Sequence, residues 1–292
     1  MNTPVTGIIG IGAMGMGIAR NLHGRGFPVR VHDIRPEPVG QAQTLGMTAC
    51  VSSAAIGRES DMALIVVVNA QQIEDVLFGE EGLVQSDTRV RTVLLCSTIA
   101  PEDSMRLAQR LAVHHIAAID APISGGPSRA EHGTMSMMIA GDPAAITGCD
   151  LLLQAMAGKR FILGSAIGDA AKAKLVNNLL AGINLVAGAE ALALGVKMGL
   201  EPQQLFDIIT ASSGNSWVFE DRMARALAND FEPRAYAHIL TKDMTLATGM
   251  AAAAGYATPL GDAALERFRE TLRRGWSELD DAAVLKTYQG PA

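Results

Sequence analysis

Cysteine is nearly absent from this chain: Cys50, Cys96 and Cys149 are scattered through 292 residues with no C-x-x-C spacing. That excludes a disulfide-stapled scaffold, and an odd, dispersed set in apolar surroundings is expected as reduced, partly buried thiols of a cytoplasmic protein. Aromatic residues are also few, at 4%, which argues against an aromatic-rich recognition surface. The formal net charge is −6 with no Lys/Arg stripe, so no nucleic-acid partner is expected. The short charge pairs Arg273-Arg274 and Asp280-Asp281 read as solvated helix surface. Apolar runs such as Met62–Val68 fall well short of the ~20 residues of a bilayer span. The opening segment has no basic stretch ahead of an apolar one, so neither a signal peptide nor a membrane partner is expected. His, Cys, Asp and Glu nowhere fall at ligand spacing, so no metal is expected either.

What the chain does have is small and apolar residues. It contains 30 glycines and is 49% hydrophobic against 18% charged, enough apolar material at this length for two cores. The first half alternates β-branched runs (Thr6–Ile11, Val29–His32, Leu64–Val68, Val93–Cys96, Ala117–Asp120) with stretches of helical periodicity such as Gly15–Arg25 and Pro101–His115. Strand, helix and strand in repetition predict a doubly wound parallel sheet with helices on both faces. From Asp169 onward the strand-like runs nearly vanish. Successive helices are predicted over Ala170–Met198, Pro202–Ser212, Phe219–Ala228, His238–Ala254 and Asp262–Arg274. The first is unusually long for a globular helix and is expected to join two domains, residues 1–165 and an all-α domain over 166–292.

Gly10-Ile11-Gly12-Ala13-Met14-Gly15 matches G-x-G-x-x-G in a context that gives the pattern weight. It follows a strand, opens a helix, and precedes a second strand that ends in Asp33, 18 residues after Gly15. That is the dinucleotide-binding arrangement of a Rossmann domain. Gly10 permits the tight turn, Gly12 clears the way for a pyrophosphate, and Gly15 lets helix and strand close up. The backbone of Ala13 and Met14 then offers the positive end of the helix to the phosphates. Asp33 is suited to the adenosine ribose hydroxyls and repels a 2′-phosphate, which favours NAD, with Ile34 beside it counted among the cofactor contacts. Arg35 leaves NADP open.

Two further segments carry candidate chemistry. Asp120-Ala121-Pro122-Ile123-Ser124-Gly125-Gly126-Pro127 follows a predicted strand, where open α/β sheets bind ligands. A turn at Ser124, Gly125 and Gly126 presents backbone N–H groups and a hydroxyl to a carboxylate, although Ser-Gly-Gly alone is more often just a turn. In Lys172-Ala173-Lys174-Leu175-Val176-Asn177-Asn178, Lys174 and Asn178 are four apart and share a helix face. A lysine in a dry cleft titrates nearer neutrality and can serve as a general base. On the residues alone, a solvent-facing lysine is the plainer reading.

The dinucleotide motif, Asp-Ala-Pro-x-Ser-Gly-Gly and Lys-x-x-x-Asn, in this order and spacing, resemble the β-hydroxyacid dehydrogenase family over essentially the whole chain. The resemblance implies oxidation of a small hydroxy acid by NAD, with Lys174 as the general acid/base and Asn178 assisting. It also implies carboxylate binding at Ser124–Gly126, cofactor contacts from Thr98 after Ser97, and Lys242 beside the cofactor. The segment Ser212–Glu220 is most similar to the branch acting on four-carbon sugar acids such as L-threonate, with Asn215 reading an extra hydroxyl. The alternative for that segment is a helix-ending loop with Trp217 buried in the second core. Tartronate semialdehyde and 3-hydroxyisobutyrate are the alternative substrates. The longer 6-phosphogluconate dehydrogenases carry Lys-x-x-His-Asn, whereas Asn177 stands here in place of that histidine, and imine reductases lack the lysine. A dinucleotide-sensing binding module is the non-enzymatic alternative. The small-residue faces of the long helix imply a homodimer or homotetramer.

Overall fold

A parallel βαβ repeat organises the first part of the computed structural model, which describes residues 3–85 and 87–289. Two compact units are formed by residues 1–174 and 175–292. In chain order the first contains β1 (Thr6–Ile9), α1 (Ala13–Gly24), β2 (Val29–His32), α2 (Pro36–Thr44), β3 (Thr48–Ala49), α3 (Ser53–Glu59), β4 (Met62–Ile65) and α4 (Ala70–Phe78). These are followed by β5 (Thr92–Leu95), α5 (Pro101–Val113), β6 (Ala117–Asp120), β7 (Ile123–Ser124), α6 (Gly126–His132), β8 (Met135–Gly141), α7 (Pro143–Gly148), α8 (Asp150–Met156) and β9 (Ala157–Gly164).

The strands β3-β2-β1-β4-β5-β6 lie side by side, all parallel, as the strand–helix alternation predicts. Ile9 pairs with both His32 and Ile65, so the carboxyl ends of β1, β2 and β4 lie level and their outgoing loops gather on one edge. Successive side chains point to opposite faces. Ile8, Leu64, Leu94 and Ile119 therefore enter one core, while Ile9, Ile65, Val93 and Leu95 enter another. Helices cover both faces for this reason.

Beyond β6 the sheet departs from the parallel expectation. β8 runs antiparallel to β6, with Asp120 opposite Ala140, and also antiparallel to β7, while β9 pairs parallel to β8. Neither β8 nor β9 was legible as a strand. β8 is built mainly from Met135, Met137 and Met138, with Ile139 its one β-branched residue, and β9 is an exposed edge with Gly158 and Gly164 near its ends. The cysteines are free and buried. Burial pushes the Cys50 and Cys149 thiols up to about 11 and that of Cys96 to about 12, so none is a reactive thiolate.

α9 (Asp169–Lys197) begins in the first unit and continues through the second. It is followed by α10 (Pro202–Thr210), α11 (Trp217–Leu227), α12 (Ala237–Ala253), α13 (Pro259–Arg273) and a 3-10 helix, Asp281–Thr287. Leu185, Leu192, Phe219, Met223, Met244 and Phe268 form the core of this helical unit. Small residues on α9 set its packing: a Cβ on Gly182 would strike Met244, and one on Gly188 would strike Phe219. By length and composition α9 would pass for a membrane span. Val176, Leu180, Leu194 and Met198 leave an apolar stripe exposed along it.

Asp280 and Asp281, expected on a solvated surface, are instead buried, because arginines of α11 reach them in an ion network. Arg222 bonds Asp281 at 2.7 Å, and Arg225 bonds Asp280 at 3.2 Å. Asp280 also accepts the backbone N–H of Arg234 and Ala282. Burial pushes the Asp281 carboxyl up to about 7 against the pull of Arg222.

Candidate active site

The loop between β1 and α1 is shaped by its glycines. Gly10 adopts φ +88 and donates its N–H to the carbonyl of His32. A Cβ there would lie 2.5 Å from the Val66 carbonyl, and one on Gly15 would strike the Gly10 carbonyl. Gly12 differs. It caps α1 with extended backbone (φ −65, ψ −165) and no side chain to occupy the first-turn N–H groups, and no acidic residue lies in that turn. A Cβ on Gly12 would meet only the end of the Arg35 side chain, at 3.3 Å. This is a cradle that a methyl group would begin to fill, over the uncapped end of a helix. Ala13 and Met14 supply the first turn.

Asp33 follows β2 and is tied into this loop. Its Oδ2 accepts the Ile11 N–H at 2.9 Å, while Arg35 donates its backbone N–H (2.9 Å) and Nε (3.0 Å) to Oδ1. Burial acts to raise the Asp33 carboxyl, but the bonds from Arg35 outweigh it and hold the group below the usual range. Ile34 is 87% exposed. A cavity of ≈ 300 Å³ beside the loop is lined by Gly12, Ala13, Arg20, Arg35, Gln41 and Pro127, among others. These residues fit a dinucleotide: an uncapped helix end for the pyrophosphate, a carboxylate for the ribose, and a guanidinium at the rim. Two loops along the sheet, the Ser97 hydroxyl accepts the Val67 N–H at 3.1 Å and reaches the Ile65 carbonyl at 3.4 Å. Ser97 thereby staples the outgoing ends of β4 and β5 and places the half-buried Thr98.

The Ser124–Gly126 turn leaves β7 with two positive φ values, +132 at Gly125 and +76 at Gly126. A Cβ on Gly125 would press on Arg129 at 2.7 Å. Asp120, at the start of the same segment, is buried with both oxygens engaged. Oδ2 accepts the N–H of Gly168 (2.9 Å) and Ala171 (3.0 Å), and the Ser104 hydroxyl approaches Oδ1 at 3.5 Å. Burial raises this carboxyl, with the backbone donors opposing.

Lys174 follows one turn into α9 and is only 7% exposed. Fully buried lysines are rare unless they serve a partner or a reaction, so the solvent-facing alternative is set aside. Lys172, by contrast, is exposed and pairs with Asp169. Asn178, also buried, donates to Asp243 Oδ2 at 2.7 Å and accepts from Asn177 at 3.0 Å. Lys242 lies 2.8 Å from the other oxygen of Asp243. The helical unit thus joins Asn178 and Lys242 through Asp243, a residue with no role in the sequence reading. Asn215 lies on an exposed turn, bonded to Glu220 at 3.2 Å. Trp217 is 52% exposed rather than buried, because Val218 and Phe219 fill the core position at the start of α11. Among the described residues no group of three His, Cys, Asp or Glu could hold a metal.

A Rossmann sheet with a glycine loop over an uncapped helix end, followed by a helical unit, fits an NAD(P)-dependent oxidoreductase. Residues 5–164 match the NAD binding domain of 6-phosphogluconate dehydrogenase, and residues 168–288 match the NAD-binding domain of NADP-dependent 3-hydroxyisobutyrate dehydrogenase. The chain is 40% identical to an L-threonate dehydrogenase of Cupriavidus necator over 97% of this chain and 96% of that one. It is 35% identical to the Escherichia coli K12 L-threonate dehydrogenase over 97% and 94%. A solved structure of a 3-hydroxyisobutyrate dehydrogenase from Salmonella typhimurium superposes with a TM-score of 0.90 at 33% identity, covering 97% of this chain and 99% of that one. The chain belongs to the 3-hydroxyisobutyrate dehydrogenase-like β-hydroxyacid dehydrogenase family and is an NAD(P)-dependent hydroxyacid dehydrogenase.

Proposed function

We propose that the enzyme oxidises L-threonate to its 2-oxo acid with NAD, and that Lys174 moves the proton. The observation that carries the proton-transfer reading is the burial of Lys174 on α9. A lysine so enclosed is held in one place, where its amine can exchange a proton with a neighbouring hydroxyl. A nicotinamide dinucleotide held by the Gly10–Gly15 loop would supply the acceptor for the hydride that leaves C2 of the substrate. Neutral Lys174 takes the C2 hydroxyl proton as the C–H bond breaks, leaving the 2-oxo acid and a lysine ammonium. In the reverse direction the ammonium returns that proton. Ser124, Gly125 and Gly126 hold the carboxylate with a hydroxyl and backbone N–H groups, which fixes C2 relative to the amine. Asn178 lies one turn beyond Lys174 on the same face of α9 and orients the substrate hydroxyl or the amine. Gly10, Gly12, Ala13, Met14 and Gly15 would cradle the pyrophosphate and Asp33 and Ile34 would contact the adenosine, with Thr98 and Lys242 each a further candidate cofactor contact.

L-threonate is favoured by relatives that bear its name and by the polar, exposed Asn215, which suits a substrate with extra hydroxyls better than a methyl-bearing one. The exposed stripe of Val176, Leu180, Leu194 and Met198 supports a homodimer or homotetramer, measurable by analytical ultracentrifugation. The deciding experiment is a panel of L-threonate, D-threonate, D-glycerate and 3-hydroxyisobutyrate, each with NAD and NADP, followed by nicotinamide absorbance. The highest kcat/KM is expected for L-threonate with NAD. A higher value for 3-hydroxyisobutyrate or D-glycerate refutes the substrate assignment. Full turnover by Lys174→Ala refutes the proton-transfer role.

A further inference from the structure

Asp120 opens the segment that ends in the Ser124–Gly126 turn, yet nothing in the proposed reaction uses it. It is 1% exposed, and a carboxylate so placed is costly unless donors surround it. The donors it has found belong to a different segment. One oxygen gathers the N–H of Gly168 and of Ala171, at 2.9 and 3.0 Å, where α9 starts. The helix that carries Lys174 is thus capped from the end of β6 rather than by a residue of its own. Gly168 makes the approach possible: its φ is +100, and a Cβ there would sit 3.3 Å from the Pro101 carbonyl. The Ser104 hydroxyl of α5 faces the second oxygen at 3.5 Å.

Ala171 precedes Lys174 by less than one helical turn, and a helix is stiff over that distance, rising about 1.5 Å per residue. Holding the Ala171 N–H therefore holds the Cα of Lys174. The same carboxylate sits four residues ahead of Ser124 along the chain. We propose that Asp120 is a positioning residue: by tying the first turn of α9 to the end of β6, it sets the placement of the Lys174 amine relative to the Ser124–Gly126 turn. This inference rests on the reading of Lys174 as the proton-transfer group.

The test uses the full-length enzyme as Asp120→Ala, Asp120→Asn, Lys174→Ala and the double variant Asp120→Ala/Lys174→Ala, with kcat, KM, NAD affinity and Tm measured for each. Displacing a reacting group by about 1 Å costs on the order of 100-fold, so Asp120→Ala is expected to lose about that in kcat with KM and NAD affinity nearly unchanged. Asp120→Asn keeps an acceptor oxygen for the two N–H groups and is expected to recover about tenfold of the loss, the equivalent of about 1.4 kcal/mol. It also carries the test if the alanine variant does not fold. Because Asp120 acts through Lys174, Asp120→Ala should slow Lys174→Ala no further. Equal losses in both backgrounds, or a raised KM with kcat intact, overturn the proposal while the lysine reading stands. Full activity in Lys174→Ala overturns both.

Discussion

Gly12→Ala separates what the dinucleotide loop needs to fold from what it needs to bind. The three glycines of the loop are alike in sequence and unlike in surroundings. A methyl group on Gly10 meets the Val66 carbonyl at 2.5 Å in a positive-φ conformation, and one on Gly15 strikes the Gly10 carbonyl. Both clashes are with backbone, which cannot yield, and the left-handed conformation adds roughly 1–2 kcal/mol at Gly10. On Gly12 the methyl meets only the tip of Arg35, at 3.3 Å, on backbone that any residue adopts. Gly→Ala at a compatible site gains about 0.4–1 kcal/mol from the unfolded chain, and alanine's poorer capping of α1 costs about as much. Gly12→Ala should therefore melt within a few degrees of the parent, while Gly15→Ala melts well below it. Binding is expected to respond in the opposite order. The Gly12 methyl occupies the path of the pyrophosphate, and overpacking of about 1–3 kcal/mol corresponds to roughly 5- to 150-fold weaker NAD binding. Thermal melts and NADH fluorescence titration measure the two effects independently. An unfolded Gly12→Ala, or a folded one that binds NAD as tightly as the parent, refutes this account of the loop.

Asp33→Ala removes the carboxylate that Arg35 clasps and frees the guanidinium for a 2′-phosphate. The NAD/NADP ratio of kcat/KM should fall at least about tenfold, the equivalent of one such contact, and an unchanged ratio shows that Asp33 does not read the ribose. Arg222→Ala leaves Asp280 and Asp281 buried without the guanidinium that bonds Asp281, a loss of about 3–5 kcal/mol by denaturant unfolding at pH 8. The Asp281 carboxyl is raised from 3.8 to about 7 in the folded chain. Its stabilising proton uptake is thus complete below 3.8 and is lost as pH rises through 7. The deficit of Arg222→Ala should shrink between pH 8 and pH 5, and a deficit that grows on acidification refutes the assignment. The Asn215 side chain bonds Glu220 at the surface, so Asn215→Ala should keep stability within about 0.5 kcal/mol while the ranking of the hydroxy-acid panel changes. An unaltered ranking returns that turn to a purely structural role.

What was legible in the sequence was local. The strand–glycine–helix–Asp33 pattern is complete within 28 residues of chain beginning at Thr6, and each of its constraints acts between neighbours, so spacing alone reports it. The helices of the second unit were legible for the same reason, because caps and periodicity act within a turn or two. β8 and β9 were not. A methionine-rich strand and an exposed edge strand are held by pairing with β6 and with each other, and no local preference records that. The burial of Lys174 is likewise a tertiary fact: a lysine–asparagine pair one turn apart reads the same on a wet helix as on a dry one. The carboxylates that tie the site's segments together bond partners far away along the chain. Asp120 bonds donors 48 and 51 residues away, and Asp243 meets Asn178 across 65. In sequence Asp120 is only the first letter of a substrate-turn motif, and Asp243 only the neighbour of Lys242. Folding gives each a carboxylate's task, holding donors that other segments deliver. A single sequence reports which side chains can perform the chemistry, whereas the groups that aim them depend on contacts that exist only once the strands and α9 have come together.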